Sequence, residues 1–165
     1  MSKHTIKTPC IGLCSTVFGD LICRGCKRFN HEIIQWNGYS DNEKNSIWLR
    51  LETLLTHVMQ SKIDIFDPAL LCQQLENRKI RYFPNQSAYC WAYQLLLKGA
   101  ENIMKINAYG IELRPDVMNI KLPELRKHID REFFELSQAH YQYYLAQPFL
   151  NATGEVKAEP IRLVP

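Results

Sequence analysis

Apolar residues recur every three or four positions through much of the chain with polar residues between them, the pattern of helices that bury one face. The clearest run is Ile47, Trp48, Leu51, Leu54, Leu55 and Val58, and it follows Ser40-Asp41-Asn42-Glu43, a capping-box sequence, so a helix is predicted over 41–60. Asp67-Pro68 repeats the start signal with proline at the first helical position, and Ala69, Leu70, Leu71 and Leu75 carry a second helix to about Arg78. Residues 86–106, with Ala88, Trp91, Ala92, Leu95, Leu96, Ile103 and Met104, predict a largely buried helix with a kink at Lys98-Gly99. Leu122-Pro123-Glu124 opens a last long helix to about Gln147, with Leu125, Ile129, Phe133, Leu136 and Tyr143 along one side. Tyr109 to Leu113 suits a short extended piece, and strands are otherwise expected to be scarce.

The first forty residues lack this periodicity and carry chemistry instead. Six cysteines stand at 10, 14, 23, 26, 72 and 90, and the first four form C-x3-C-x8-C-x2-C. Gly25 between Cys23 and Cys26 suggests a tight turn with positive φ that lets two sulfurs converge, and Gly19-Asp20 in the spacer suggests a reversal that folds Cys10 and Cys14 back over them. Four thiolates around one centre are therefore expected. Disulfides need an oxidising compartment, and the stretch after Met1 has no apolar segment of the kind that directs secretion, so a cytoplasmic, reduced protein is expected. The spacing leans toward Zn²⁺, since neither common ferredoxin cysteine order is present; an iron-sulfur cluster stands as the alternative, because it takes the same donors.

Arg24, Lys27 and Arg28 lie beside the second pair, where their charge would offset the net negative charge of a tetrathiolate. Arg28, Glu32 and Trp36 are spaced to share one side of a short helix capped by Asn30, with Glu32 favoured by the helix dipole and Ile33 and Trp36 covering the thiols. Trp36 as a base-stacking platform beside those three cations is a second reading. His31 is a spare ligand candidate. Cys72 and Cys90, on apolar helical segments, read as inert buried thiols, and Glu124 with His128 reads as an exposed pair one turn apart.

The run Pro9-Cys10, Cys14, Cys23-Arg24-Gly25-Cys26, Arg28, Glu32-Ile33 and Trp36, followed by a charged helix, resembles the bacterial family of domain of unknown function 1289 over roughly residues 8 to 55. Members of that family are described as predicted iron-sulfur proteins, and the resemblance implies Cys10, Cys14, Cys23 and Cys26 as ligands. Residues after 55 fall outside it.

Composition narrows the rest. The chain has 165 residues, 46% hydrophobic and 22% charged, enough for one domain or a module and a modest second one, and no apolar stretch approaches the roughly 20 residues of a membrane span. Its net charge of +3 does not by itself point to nucleic acid or membrane. Gly-rich phosphate loops, Gly-x-Ser-x-Gly and His-Glu-x-x-His are absent, so no catalytic signature is legible. The expected fold is mainly α: a small N-terminal four-cysteine metal knuckle, then a four- to five-helix bundle-like region. It is divided as a metal-binding module with its trailing helix at 8–58, a helical region at 62–150 and a loose tail at 151–165. The expected role is that of a non-catalytic metal-binding protein whose helical surface meets a protein partner. Iron-sulfur electron transfer or redox sensing, and nucleic-acid binding through Arg24, Lys27, Arg28 and Trp36, are the alternatives.

Overall fold

The computed structural model describes residues 6–146. Residues 6–40 hold little regular structure: 3-10 turns at Ser15–Phe18 and Trp36–Gly38, an isolated antiparallel bridge between Ile22 and Phe29, and the six-residue helix α1 (Asn30–Gln35). Helix α2 (Asp41–Gln60) then starts where the capping box sets it. The Ser40 hydroxyl accepts the Glu43 amide at 3.3 Å, and the Glu43 carboxylate accepts the Ser40 amide at 2.8 Å, so two amides that have no partner inside the helix are satisfied. Its buried face is Ile47, Leu51, Leu55, Val58 and Met59.

Helix α3 (Pro68–Asn77) also begins as predicted, with the Asp67 carboxylate accepting the Leu70 amide at 3.0 Å. Helix α4 (Ala88–Gly99) is shorter than the expected 86–106. After Gly99 the chain makes a 3-10 turn at Ala100–Asn102, becomes extended at Ile103 (φ −93°, ψ 111°) and makes another 3-10 turn at Ile106–Tyr109. Leaving the helix lets Ile103 and Ile106 both enter the core while Met104 turns outward, 95% exposed. Packing has overridden the helical period there. Helix α5 (Leu122–Tyr141) runs from Leu122-Pro123 and loosens into a π-helical turn at Gln142–Ala146; the expected endpoint Gln147 and the tail at 151–165 lie outside the described residues.

Strand β1 (Ile63–Ile65) pairs antiparallel with β2 (Ile111–Leu113), Ile63 opposite Leu113 and Ile65 opposite Ile111. The second strand falls in the expected extended piece; the first is an addition. Gly110 makes the ribbon fit. It has φ 74°, its carbonyl accepts the amides of Phe66 and Asp67, and a Cβ there would lie 2.2 Å from the Asp67 carbonyl oxygen.

The protein is thus mainly α, with five α-helices and a two-stranded ribbon among the described residues. Helix α2 packs on α4 and α5, and α3 packs on α4. Val58, Met59, Leu71, Leu75, Leu95, Leu125 and Ile129 are sealed from solvent at the centre. Trp36 and Phe133 complete this core from its edge, beside the cysteine lobe. No helix among the described residues is long and apolar enough to cross a membrane.

Candidate functional site

The turn Cys23-Arg24-Gly25-Cys26 is built around one sulfur. Cys23 is buried, and burial pushes its thiol up, but the backbone amides of Cys26, Ser15 and Gly25 and the Cys26 side chain all hydrogen-bond it, and together they hold its pKa below the ordinary value. Amides two and three residues along the chain pointing back at a cysteine sulfur favour a thiolate. At Cys26 burial wins, and the thiol stays above its usual value although the Arg28 Nε, 3.4 Å away, and the Arg28 amide both bond it. The first pair shows a related pattern, with the Gly12 amide 3.4 Å from the Cys10 sulfur and the Cys14 sulfur 3.0 Å from the Thr16 hydroxyl.

The spacer folds the first pair back, and Gly19, with φ 96°, ends the 3-10 turn that begins the reversal. The returning arm lies across the second pair. Leu13 O accepts the Cys23 thiol at 3.3 Å, and the Arg24 amide donates to the Ser15 hydroxyl at 2.8 Å, so the residues on both sides of Cys14 touch the Cys23–Gly25 turn. Glycine at 25 is required for a reason other than the one expected. Its φ is not positive; instead a Cβ would fall 2.5 Å from Leu13 O and 3.1 Å from the Ile11 side chain. The positive φ sits one step beyond the pair, at Lys27 (φ 62°). All six cysteines are free thiols.

Cys23 and Cys26 are therefore brought together, while Cys10 is exposed and bonded within its own turn. Among the described residues no three His, Cys, Asp or Glu side chains gather as an ion-holding group, His31 included. Two thiols on one short turn are the donors a thiolate-binding metal takes, and the arm that touches this turn through Leu13 and Ser15 carries Cys14 between them.

The expected neighbours divide sharply. Arg28 does not lie on the helix with Glu32 and Trp36; it precedes α1, and the bridge Ile22–Phe29 holds it extended. It still meets Trp36, its guanidinium 4.9 Å from the ring centre, so Trp36 backs the arginine that bonds Cys26. Helix α1 is capped from Phe29, not Asn30: the Glu32 carboxylate accepts the Phe29 amide at 2.9 Å. Glu32 is itself buried and takes both terminal nitrogens of Arg50, whose guanidinium lies 3.9 Å from the Phe29 ring centre. Lys27, 1% exposed, donates to the carbonyls of Arg24 at 2.6 Å and Gly25 at 3.2 Å, and pairs with Asp130 on α5, which also accepts the Tyr93 hydroxyl at 3.0 Å. It fastens the turn to the helices. Arg24 alone of the three cations is exposed, and it pairs with Asp20 at 3.3 Å.

Of the four groups named for nucleic acid, Lys27, Arg28 and Trp36 are buried and Arg24 is exposed, and the Trp36 ring faces Arg28 and Lys44, the latter 5.9 Å from its centre. Glu124 and His128 form the expected pair one turn apart at 3.4 Å. Cys90 is buried beside Ser87 and Thr56, and Cys72 is half-buried, 2.9 Å from the Tyr82 hydroxyl. Two participants escaped the sequence reading altogether, Arg50 and Asp130. They reach the lobe from 18 and 103 residues away, and their helical spacing marks them only as polar-face positions.

Residues 8–55 match the model of a family described as a protein of unknown function (DUF1289), which bears out the resemblance over the same segment. No curated protein and no solved structure matches the chain.

Proposed function

We propose that Cys10, Cys14, Cys23 and Cys26 hold one metal ion in a structural, non-catalytic centre, and that the lobe so ordered docks a protein partner. The observation that supports it most directly is the amide hydrogen bonding at Cys23, which lowers the pKa of its thiol, with Ser15 of the first arm accepting the Arg24 amide of the same turn. Zinc, when bound by four thiolates, supplies a cross-link between the two arms and leaves no open coordination position. The chain's own part is to draw the Cys10 and Cys14 sulfurs toward the Cys23–Cys26 pair and to hold that pair through Arg28 and Lys27, which Trp36 and Phe133 back in turn.

The interaction role is supported by side chains on the same lobe: Leu13, Val17, Phe18 and Leu21 are 58–89% exposed within nine residues of chain. A reducing, cytoplasmic setting belongs to the same proposal, because a thiolate centre needs its cysteines free of disulfides.

Metal analysis of anaerobically purified protein tests this. One zinc per chain in a colourless sample, lost in Cys23→Ser and in Cys14→Ser, is the expected result. A brown sample with iron and sulfide, bleached by dithionite, replaces zinc with the iron-sulfur reading. Protein without stoichiometric metal, or zinc retained in all four single Cys→Ser variants, overturns both.

A further inference from the structure

A cavity of about 590 Å³ lies between the Thr8–Leu13 arm and helices α2, α4 and α5, within the size range of small-molecule sites. Three cationic side chains from three separate parts of the chain line it: Arg81 from the segment before α4, Lys98 from the last turn of α4, and Arg126 from α5. None of them is in an ion pair with a carboxylate among the described residues. The acid on the wall is Glu52, and its carboxylate already accepts the Ser87 amide at 2.8 Å.

The remaining wall is largely apolar and includes rings. Trp48 and Phe83 meet edge to face at 5.1 Å, and the Arg81 guanidinium lies 5.4 Å from the Phe83 ring centre. Tyr93 offers its ring alone, because its hydroxyl is committed to Asp130. Arg81 and Lys98 are exposed and Arg126 is half-buried, and three like charges lining one partly apolar cavity favour a negative group placed among them.

We propose that this cavity binds a small organic anion with a flat aromatic body, its anionic group taken by Arg81, Lys98 and Arg126 and its rings laid against Trp48 and Phe83. The site does not depend on metal at the cysteines, although Cys10 and Cys26 are among the residues that line it.

Two dyes that share an aromatic body separate the terms: anilinonaphthalene sulfonate, which is anionic, and N-phenylnaphthylamine, which is neutral. Titrated into the full chain at low salt, the sulfonate should saturate one site and bind about tenfold more tightly than the neutral dye, the margin expected for a charge-assisted contact. Arg126→Gln and Lys98→Gln should each remove most of that margin and leave neutral-dye binding unchanged. Arg81→Gln, in the segment before α4, gives the same readout should either helical variant fail to fold. Lys105→Gln, exposed and outside the cavity wall, should change neither dye. Equal affinity for the two dyes, sulfonate binding that does not saturate, or an equal loss in Lys105→Gln overturns the proposal.

Discussion

The cysteine lobe and the helical body are held together by different means. In the body, residues such as Leu71, Leu75, Leu95 and Leu125 are wholly removed from water and the helices meet through them. In the lobe Leu13, Val17 and Leu21 face outward while Ile22 and Phe29 are buried, and the buried groups also include Lys27, Arg28 and Glu32, each held by directed bonds. A segment of this size cannot close an apolar core of its own, so it borrows order from the body through ion pairs and from backbone amides turned onto sulfur. The difference implies that the body tolerates changes of shape that keep its volume, whereas the lobe depends on particular donors and acceptors.

The largest effect is expected at the joint between the two. Glu32→Ala leaves the Arg50 guanidinium against Phe29 without its carboxylate, and losing one member of a buried pair costs about 3–5 kcal/mol. That would match or exceed Leu71→Ala in the body, for which cavity formation costs about 2–5 kcal/mol. Urea denaturation of both variants makes the comparison. If Glu32→Ala costs less than about 1 kcal/mol, as exposed pairs do, the lobe is not held by its buried charges.

Gly25→Ala should follow, at about 1–3 kcal/mol, the usual range for forcing an extra group into a filled site. The new methyl group meets a backbone oxygen, which cannot rotate away, so the Ile11–Leu13 arm has to lift from the Cys23 turn. Alkylation of Cys23 should then speed up while the Cys90 thiol, buried in the body, keeps its slow rate. Equal acceleration at both cysteines would mean that lobe and body open as one unit, and the contrast drawn between them would fail.

This division also sets what could be read from the chain. Ser40 to Glu43, Asp67-Pro68 and Leu122-Pro123 announce helix starts because capping is local chemistry, complete within four residues. The end of α4 was legible only as a kink at Gly99, since whether Ile103 or Met104 turns inward is decided by neighbours far along the chain. In the lobe the cysteine spacing raised the expectation of a thiolate centre and Gly25 was singled out, but for a torsion angle it does not have; its constraint comes from Leu13, twelve residues earlier. Lys27 was read as a counter-charge because nothing nearby in sequence reveals Asp130. Periodicity thus described the body well, and the lobe's long-range polar bonds have no periodic signature.

The smallest expected effect lies at Ser40, where the lobe ends and α2 begins. Ser40→Ala removes the oxygen that accepts the Glu43 amide, and losing such a cap costs about 1 kcal/mol. Bonds from the Ser40 amide and hydroxyl hold the Glu43 carboxyl below its usual value of 4.5, so its contribution is fully present above that pH and fades as the pH falls through the lowered value. Stability of wild type and variant should therefore differ most near neutrality, the gap narrowing in acid as the Ser40 hydroxyl loses its carboxylate acceptor, with Ser40→Ala losing helix content in α2 and leaving Cys23 alkylation unaltered. A gap that stays constant down through the carboxylate range would show that the Glu43 carboxylate adds nothing to the cap. Faster alkylation of Cys23 in the same variant would show that the boundary does not insulate the lobe from its first helix.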